Sequence, residues 1–131
     1  MSDGIVDAFG HKRWYLNGKR HREDGPAVVY ADGQKQWYHN GLLHREDGPA
    51  VEYIDGIKQW YINGQKHRED GPAIIWWNGD NEWWLNDKRH RDDGPSIENT
   101  NGHKKWHLHG KRYTEDEFIL LQFSKGIFIN E

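Results

Sequence analysis

Apolar and polar residues alternate along this chain in short runs, and the runs return at a fixed interval. In Ala50-Val51-Glu52-Tyr53, Val51 and Tyr53 point one way and Ala50 and Glu52 the other, the period of two that a strand requires. Val28 with Tyr30, Ile74 with Trp76 and Ile97 with a polar Asn99 repeat the inward pair, while Val29, Glu52, Ile75 and Glu98 vary as solvent-side positions do. A second predicted strand, Lys35-Gln36-Trp37-Tyr38-His39 and its copies, places Trp14, Trp37, Trp60, Trp83 and Trp106 on one face with Leu16, His39, Ile62, Leu85 and Leu108. Tyr15, Tyr38, Tyr61 and Trp84 fall on the opposite face, beside Arg13, Gln36, Gln59 and Glu82. Between the strands stand Asp32-Gly33, Asp55-Gly56, Asn78-Gly79 and Asn101-Gly102, then Asn17-Gly18, Asn40-Gly41, Asn63-Gly64 and Asn86-Asp87. Such dipeptides supply positive φ in tight turns.

The interval is 23 residues: His21-Arg22-Glu23-Asp24-Gly25-Pro26-Ala27 returns at His44, at His67 and, as His-Arg-Asp-Asp-Gly-Pro-Ser, at His90. A period of this length means stacked copies of one small unit sharing a continuous core. Proline after each of these glycines fits only the start of a strand, because it donates no ladder hydrogen bond. The expected fold is mainly β: tandem antiparallel β-hairpin repeats forming one extended, curled sheet, with a short C-terminal capping helix. Residues 1–13 read as a partial N-terminal repeat and cap, 14–112 as the tandem repeats and 113–131 as a helical cap. Thr114-x-x-Glu117 is a capping box, Phe118, Leu121 and Gln122 follow at helical spacing with Ile119, Leu120 and Phe123 adding apolar bulk, and Gly126 is a stop. Ile127-Phe128-Ile129 reads as a last strand. The helix covers an open sheet edge; its alternative use is a dimer contact, so monomer and homodimer both stay open.

Composition narrows the class. With 131 residues the chain has room for one domain, and its 34% hydrophobic content borders on disorder. Eight tryptophans and six tyrosines argue for a packed core instead. No cysteine is present, so disulfide and thiolate chemistry are excluded and a cytoplasmic setting is expected. No apolar run reaches membrane-spanning length, and Met1-Ser2-Asp3-Gly4 does not read as a secretory signal. A formal charge of -3 with both signs interspersed gives no global attraction to nucleic acid or an anionic membrane.

Trp37, Asn40-Gly41, His44, Gly48 and Asp55-Gly56, with their copies, resemble the MORN (membrane occupation and recognition nexus) repeat over residues 10–112. Here Arg-Glu-Asp-Gly-Pro stands where that repeat usually has Gly-x-Gly, which lengthens the connection. The His-Arg-x-Asp-Gly-Pro-Ala variant is similar to repeats of bacterial, phage and large-virus proteins. The resemblance implies β-hairpin arrays that act as protein-interaction scaffolds, and for a phage or viral protein a host partner that is bound and blocked.

An array of equivalent units offers a surface, whereas catalysis needs one asymmetric constellation; no enzyme and no cofactor are expected. His-Arg-x-Asp lacks the glycine-rich loop and downstream Asn of a kinase, and Ser96 and Ser124 lack a nucleophile elbow. Identical copies and the absence of cysteine argue against a metal; His107-x-His109 reads as a variant on one strand face. Strict repetition suits a need internal to every unit, so Arg is expected to pair with Glu or Asp within or between units, while His21, His44, His67 and His90 brace the turns and, with the five tryptophans, form the repeat core. Candidate partner-binding residues are Tyr15, Tyr38, Tyr61, Trp77 and Trp84, with Arg22, Arg45, Arg68 and Arg91 able to grip carboxylates or a polyanion. A protein partner is expected and no membrane; the alternative is nucleic-acid or nucleotide binding through the aromatic and His-Arg rows.

Overall fold

The computed structural model describes residues 4–126, so the expected strand at 127–129 lies outside the described residues. The protein is a run of antiparallel hairpins in one long sheet that does not close into a barrel, ended by a single C-terminal helix. Eleven strands make that sheet, most of them two residues long, and each full repeat adds two. In one repeat these are Val28–Val29 and Lys35–Gln36; the next adds Val51–Glu52 and Lys58–Gln59. The register is constant: Val28 faces Gln36, Gln36 faces Val51 and Val51 faces Gln59. Ile5–Val6 pairs with Lys12–Arg13 at the front, in the manner of a repeat's sheet hairpin.

The expected strand from Lys35 to His39 is split. Lys35–Gln36 lies in the long sheet, whereas Tyr38–His39 pairs with Leu42–Leu43 in a separate side hairpin. Trp37 is the pivot. Its N–H donates to Ala50 O at 2.7 Å and its carbonyl accepts from His44 N–H at 3.0 Å, so the backbone leaves the ladder there. The same break falls at Trp14, Trp60 and Trp83, while Lys104–Leu108 runs through Trp106 unbroken. The two turn types also differ. In Asn40-Gly41 both residues have positive φ, 50° and 82°, the backbone of a type I′ hairpin. At Asp32-Gly33 only the glycine does, and Gly33 N–H closes on Tyr30 O in a three-residue loop.

Alternation in the first strand is weaker than expected, because both faces are covered. Ala27, Ala50, Ala73 and Ser96 are fully buried next to buried Val28, Val51, Ile74 and Ile97. The small residues let the pivot tryptophan's backbone close on their carbonyls. Trp14 is buried, and Trp37, Trp60, Trp83 and Trp106 are half-buried. The helix Glu115–Ser124 carries the full capping box, with Thr114 Oγ1 accepting from Glu117 N–H and Glu117 accepting from Thr114 N–H. Phe118 and Gln122 are buried where it packs on the last hairpin, and Gly126 ends it at φ 73°. Among the described residues no helix is long and apolar enough to cross a membrane.

Candidate functional site

Each His-Arg-Glu-Asp-Gly-Pro block folds into one clamp, four times over. The guanidinium carbons of Arg22, Arg45, Arg68 and Arg91 lie 3.8–4.0 Å from the ring centroids of Trp14, Trp37, Trp60 and Trp83. Such stacking is attractive because the indole face carries negative potential. In each copy Nε donates to the Asp two residues on at 2.9–3.0 Å, and Nη1 donates to the following Pro carbonyl at 3.0–3.1 Å. Arg45 and Arg91 also reach Glu52 and Glu98. The glycine of the block now has a reason. A Cβ on Gly25, Gly48, Gly71 or Gly94 would stand 2.9–3.0 Å from the guanidinium carbon, so any larger residue pushes on the stacked arginine.

The histidine ties neighbouring units together. Nδ1 of His21, His44, His67 and His90 accepts a backbone N–H from Asn40, Asn63, Asn86 and His109, one unit on, at 2.8–3.0 Å. An Nδ1 that accepts must be unprotonated, so the ring's proton sits on Nε2. From there it faces Glu23, Glu46, Glu69 or Asp92 at 2.9–3.6 Å. His109 thus occupies a turn, at φ 49°, rather than sharing a strand face with His107.

The Arg–Asp pairing expected within each unit is present in all four copies, and it sets the polarity of the block. The cations lie behind, committed to indole, aspartate and carbonyl, and the carboxylates face out. Side chains of Glu23, Asp24, Glu46, Asp47, Glu69, Asp70, Asp92 and Asp93 are 63–88% exposed, against 22–23% for the four arginines.

The aromatic row lies on the side hairpins. Tyr15 is exposed, and Tyr38, Tyr61 and Trp84 are half-buried. Burial raises the Tyr61 hydroxyl above the usual tyrosine range, helped by the neighbouring Tyr53, Asp87 and Tyr38. Arg20 sits over Tyr38 at 5.3 Å, and Lys66 and Arg89 over Trp84 at 4.5 and 5.1 Å. The row is most elaborate at the third-to-fourth junction. Glu82 accepts the indole N–H of Trp76 at 2.6 Å and of Trp84 at 3.1 Å, and Arg89 stands 3.8 Å away. Trp77 projects outward, 70% exposed, at the mouth of a pocket of about 420 Å³ also lined by Asn78, Asp80, Asn99, His103 and Lys105. Asp80 accepts the backbone N–H and hydroxyl of Thr100, which hold its carboxyl below the usual range. Glu82 was legible in principle: its counterparts are Arg13, Gln36, Gln59 and Lys105, so it is the one acid at that position.

Two clusters resemble chemical sites, and each is explained by packing. His21, Glu23 and His39 bring potential ligand atoms within 4.8 Å of one another, where His39 stands in place of the usual Leu or Ile. His21 has no lone pair to give, however, because Nδ1 accepts Asn40 N–H and Nε2 carries the proton. Ser96 Oγ lies 2.6 Å from His107 Nδ1 and 3.2 Å from Lys105 O. A hydroxyl has one proton, so with Oγ–H donating to the carbonyl the His107 ring supplies Nδ1–H to Oγ. Ser96 is fully buried, beyond the reach of a substrate.

No protein-family profile and no curated protein matches the chain.

Proposed function

We propose that this protein is a non-catalytic module that binds a protein partner on its aromatic face, with Tyr15, Tyr38, Tyr61, Trp77 and Trp84 as its contacts. Trp77 carries the reading: a large indole, 70% exposed, next to Trp76, whose indole Glu82 holds in place. Covering such a ring is strongly favourable, and Trp and Tyr dominate interface hot spots. Because Glu82 fixes Trp76 and Trp84, those two rings have little side-chain freedom left to lose on docking. The MORN-like pattern supports a scaffold role. Its likeness to phage and viral repeats extends the proposal to an inhibitor that holds a host defence protein in the host cytoplasm.

Nucleic acid is the second reading, favoured by Arg20 beside Tyr38 and by Lys66 and Arg89 beside Trp84. Those cations already cover the rings on which bases would stack, which weighs toward a protein partner. Capture from a host lysate by immobilised protein, with identification by mass spectrometry, separates the two. Trp77→Ala should release the partner and leave thermal unfolding unchanged. Retention of the same partner by Trp77→Ala would refute the aromatic-face reading, and capture that nuclease or moderate salt abolishes would transfer it to nucleic acid.

A further inference from the structure

The clamps form a grooved face that shares no lining residue with the Trp77 pocket and meets the aromatic row at Tyr38. Successive His-Arg-Glu-Asp turns stand as ridges with open clefts of about 910, 650 and 540 Å³ between them. Apolar side chains line the second and third clefts: Trp60 and Ile62 in one, Trp83 and Leu85 in the other. The first has Trp37 and Tyr38, with His39 in place of the aliphatic residue. The walls are charged in the same way each time. Every cleft is bounded by four carboxylates and two arginines, for instance Glu46, Asp47, Glu69 and Asp70 with Arg45 and Arg68, leaving a formal -2 with histidine neutral. Both guanidiniums are stacked on tryptophan and bonded to their own Asp and Pro, so what an arriving group meets is the outward carboxylate edge.

We propose that this grooved face binds a basic, extended segment of a partner protein, one arginine or lysine per cleft. An apolar floor under carboxylate walls suits the amphipathic stem and charged tip of such a side chain. The spacing selects the backbone. Each repeat contributes two strands about 4.8 Å apart, so the clefts recur every ~9.6 Å. A polyproline II segment returns a side chain to one face every third residue, at roughly 9.3 Å. A β-strand does so every second residue, at about 6.7 Å, and falls out of step within one cleft. The preferred ligand therefore carries its cations at every third residue on a proline-rich backbone. This inference does not depend on the aromatic-face reading.

Fluorescence anisotropy with a labelled peptide of four Arg-Pro-Pro triplets tests it, against an Arg-Pro alternating peptide carrying the same number of arginines. The triplet peptide should bind at least about tenfold more tightly, and its affinity should fall steeply with salt. Glu46→Gln with Glu69→Gln removes charge from all three clefts and leaves every Arg–Asp clamp in place. That pair should weaken the triplet peptide by about tenfold, at roughly 0.7 kcal/mol per charge, with unaltered circular dichroism. Equal binding of the two peptides, or binding that survives about 0.5 M salt, would overturn the proposal from the unmodified protein alone. So would loss of the triplet peptide in Trp77→Ala, because the peptide would then occupy the aromatic face.

Discussion

At the scale of single residues, the molecule rests on an arginine that an indole, an aspartate, a carbonyl and a glycine jointly hold. Strict repetition of His-Arg-Glu-Asp-Gly-Pro, which serves a need internal to every unit, marks the block as a brace. It could not show that the glycine is there for the guanidinium, since that contact depends on how the turn folds back. Two substitutions separate the parts. Arg68→Ala should cost about 2 kcal/mol in chemical denaturation, from the lost stacking and charged hydrogen bonds. Gly71→Ala should cost about 1–2 kcal/mol in the native background by pushing Arg68 off Trp60. Once Arg68 is already alanine, the same change should cost close to nothing, and simple additivity of the two would contradict the clamp. His107 supplies a different kind of test. Burial lowers its pKa, and the neighbouring positive charges of Arg89, Arg112 and Lys105 lower it further. His107 therefore takes up a proton more readily in the unfolded chain, and its contribution to stability falls as pH drops through about 6.5 and below. His107→Tyr, which restores the residue found in three other units, should flatten that acid-side loss of melting temperature.

Elements were legible in proportion to how local their causes are. The helix was written in Thr114, Glu117 and the spacing of Phe118 and Gln122, and it forms with that cap. Thr114→Ala should lower stability by about 1 kcal/mol, and an unchanged unfolding midpoint would count against the capping box as a stabilising feature. The Asn-Gly turns were equally readable. The split of each second strand was not. Alternation continues straight through Lys35 to His39, so period two alone cannot reveal that Trp37 directs its N–H to Ala50 and turns the chain out of the sheet. Nor could the pattern tell that both faces of the first strand are covered, because Ala50 is closed over where the Trp37 backbone bonds its carbonyl. The period places Tyr15, Tyr38, Tyr61 and Trp84 in one row and marks Glu82 as the one acid at its position, but its bonds to Trp76 and Trp84 needed three dimensions to appear.

For the whole molecule, a net charge of -3 conceals segregation: exposed carboxylates line the clamp ridges, while Lys66 and Arg89 gather at the aromatic row. A modular array should also tolerate the loss of one whole unit. Deleting residues 45–67, which rejoins His44 to Arg68, should give a cooperatively folding protein of lower stability, whereas deleting 45–56 should not fold. Circular dichroism with thermal denaturation distinguishes the two. One further asymmetry is built into the histidine bond. Its acceptor lies on a ring that is only 7% exposed at His21, and its donor is a backbone N–H of an exposed residue one unit later. Peeling away the front of the stack leaves that exposed donor to water, which costs little; peeling from the back strands a buried imidazole nitrogen with nothing to bond. The stack therefore has a grain, and it should unravel from its first unit forward, with amide hydrogen exchange fastest there and slowest beside the helix.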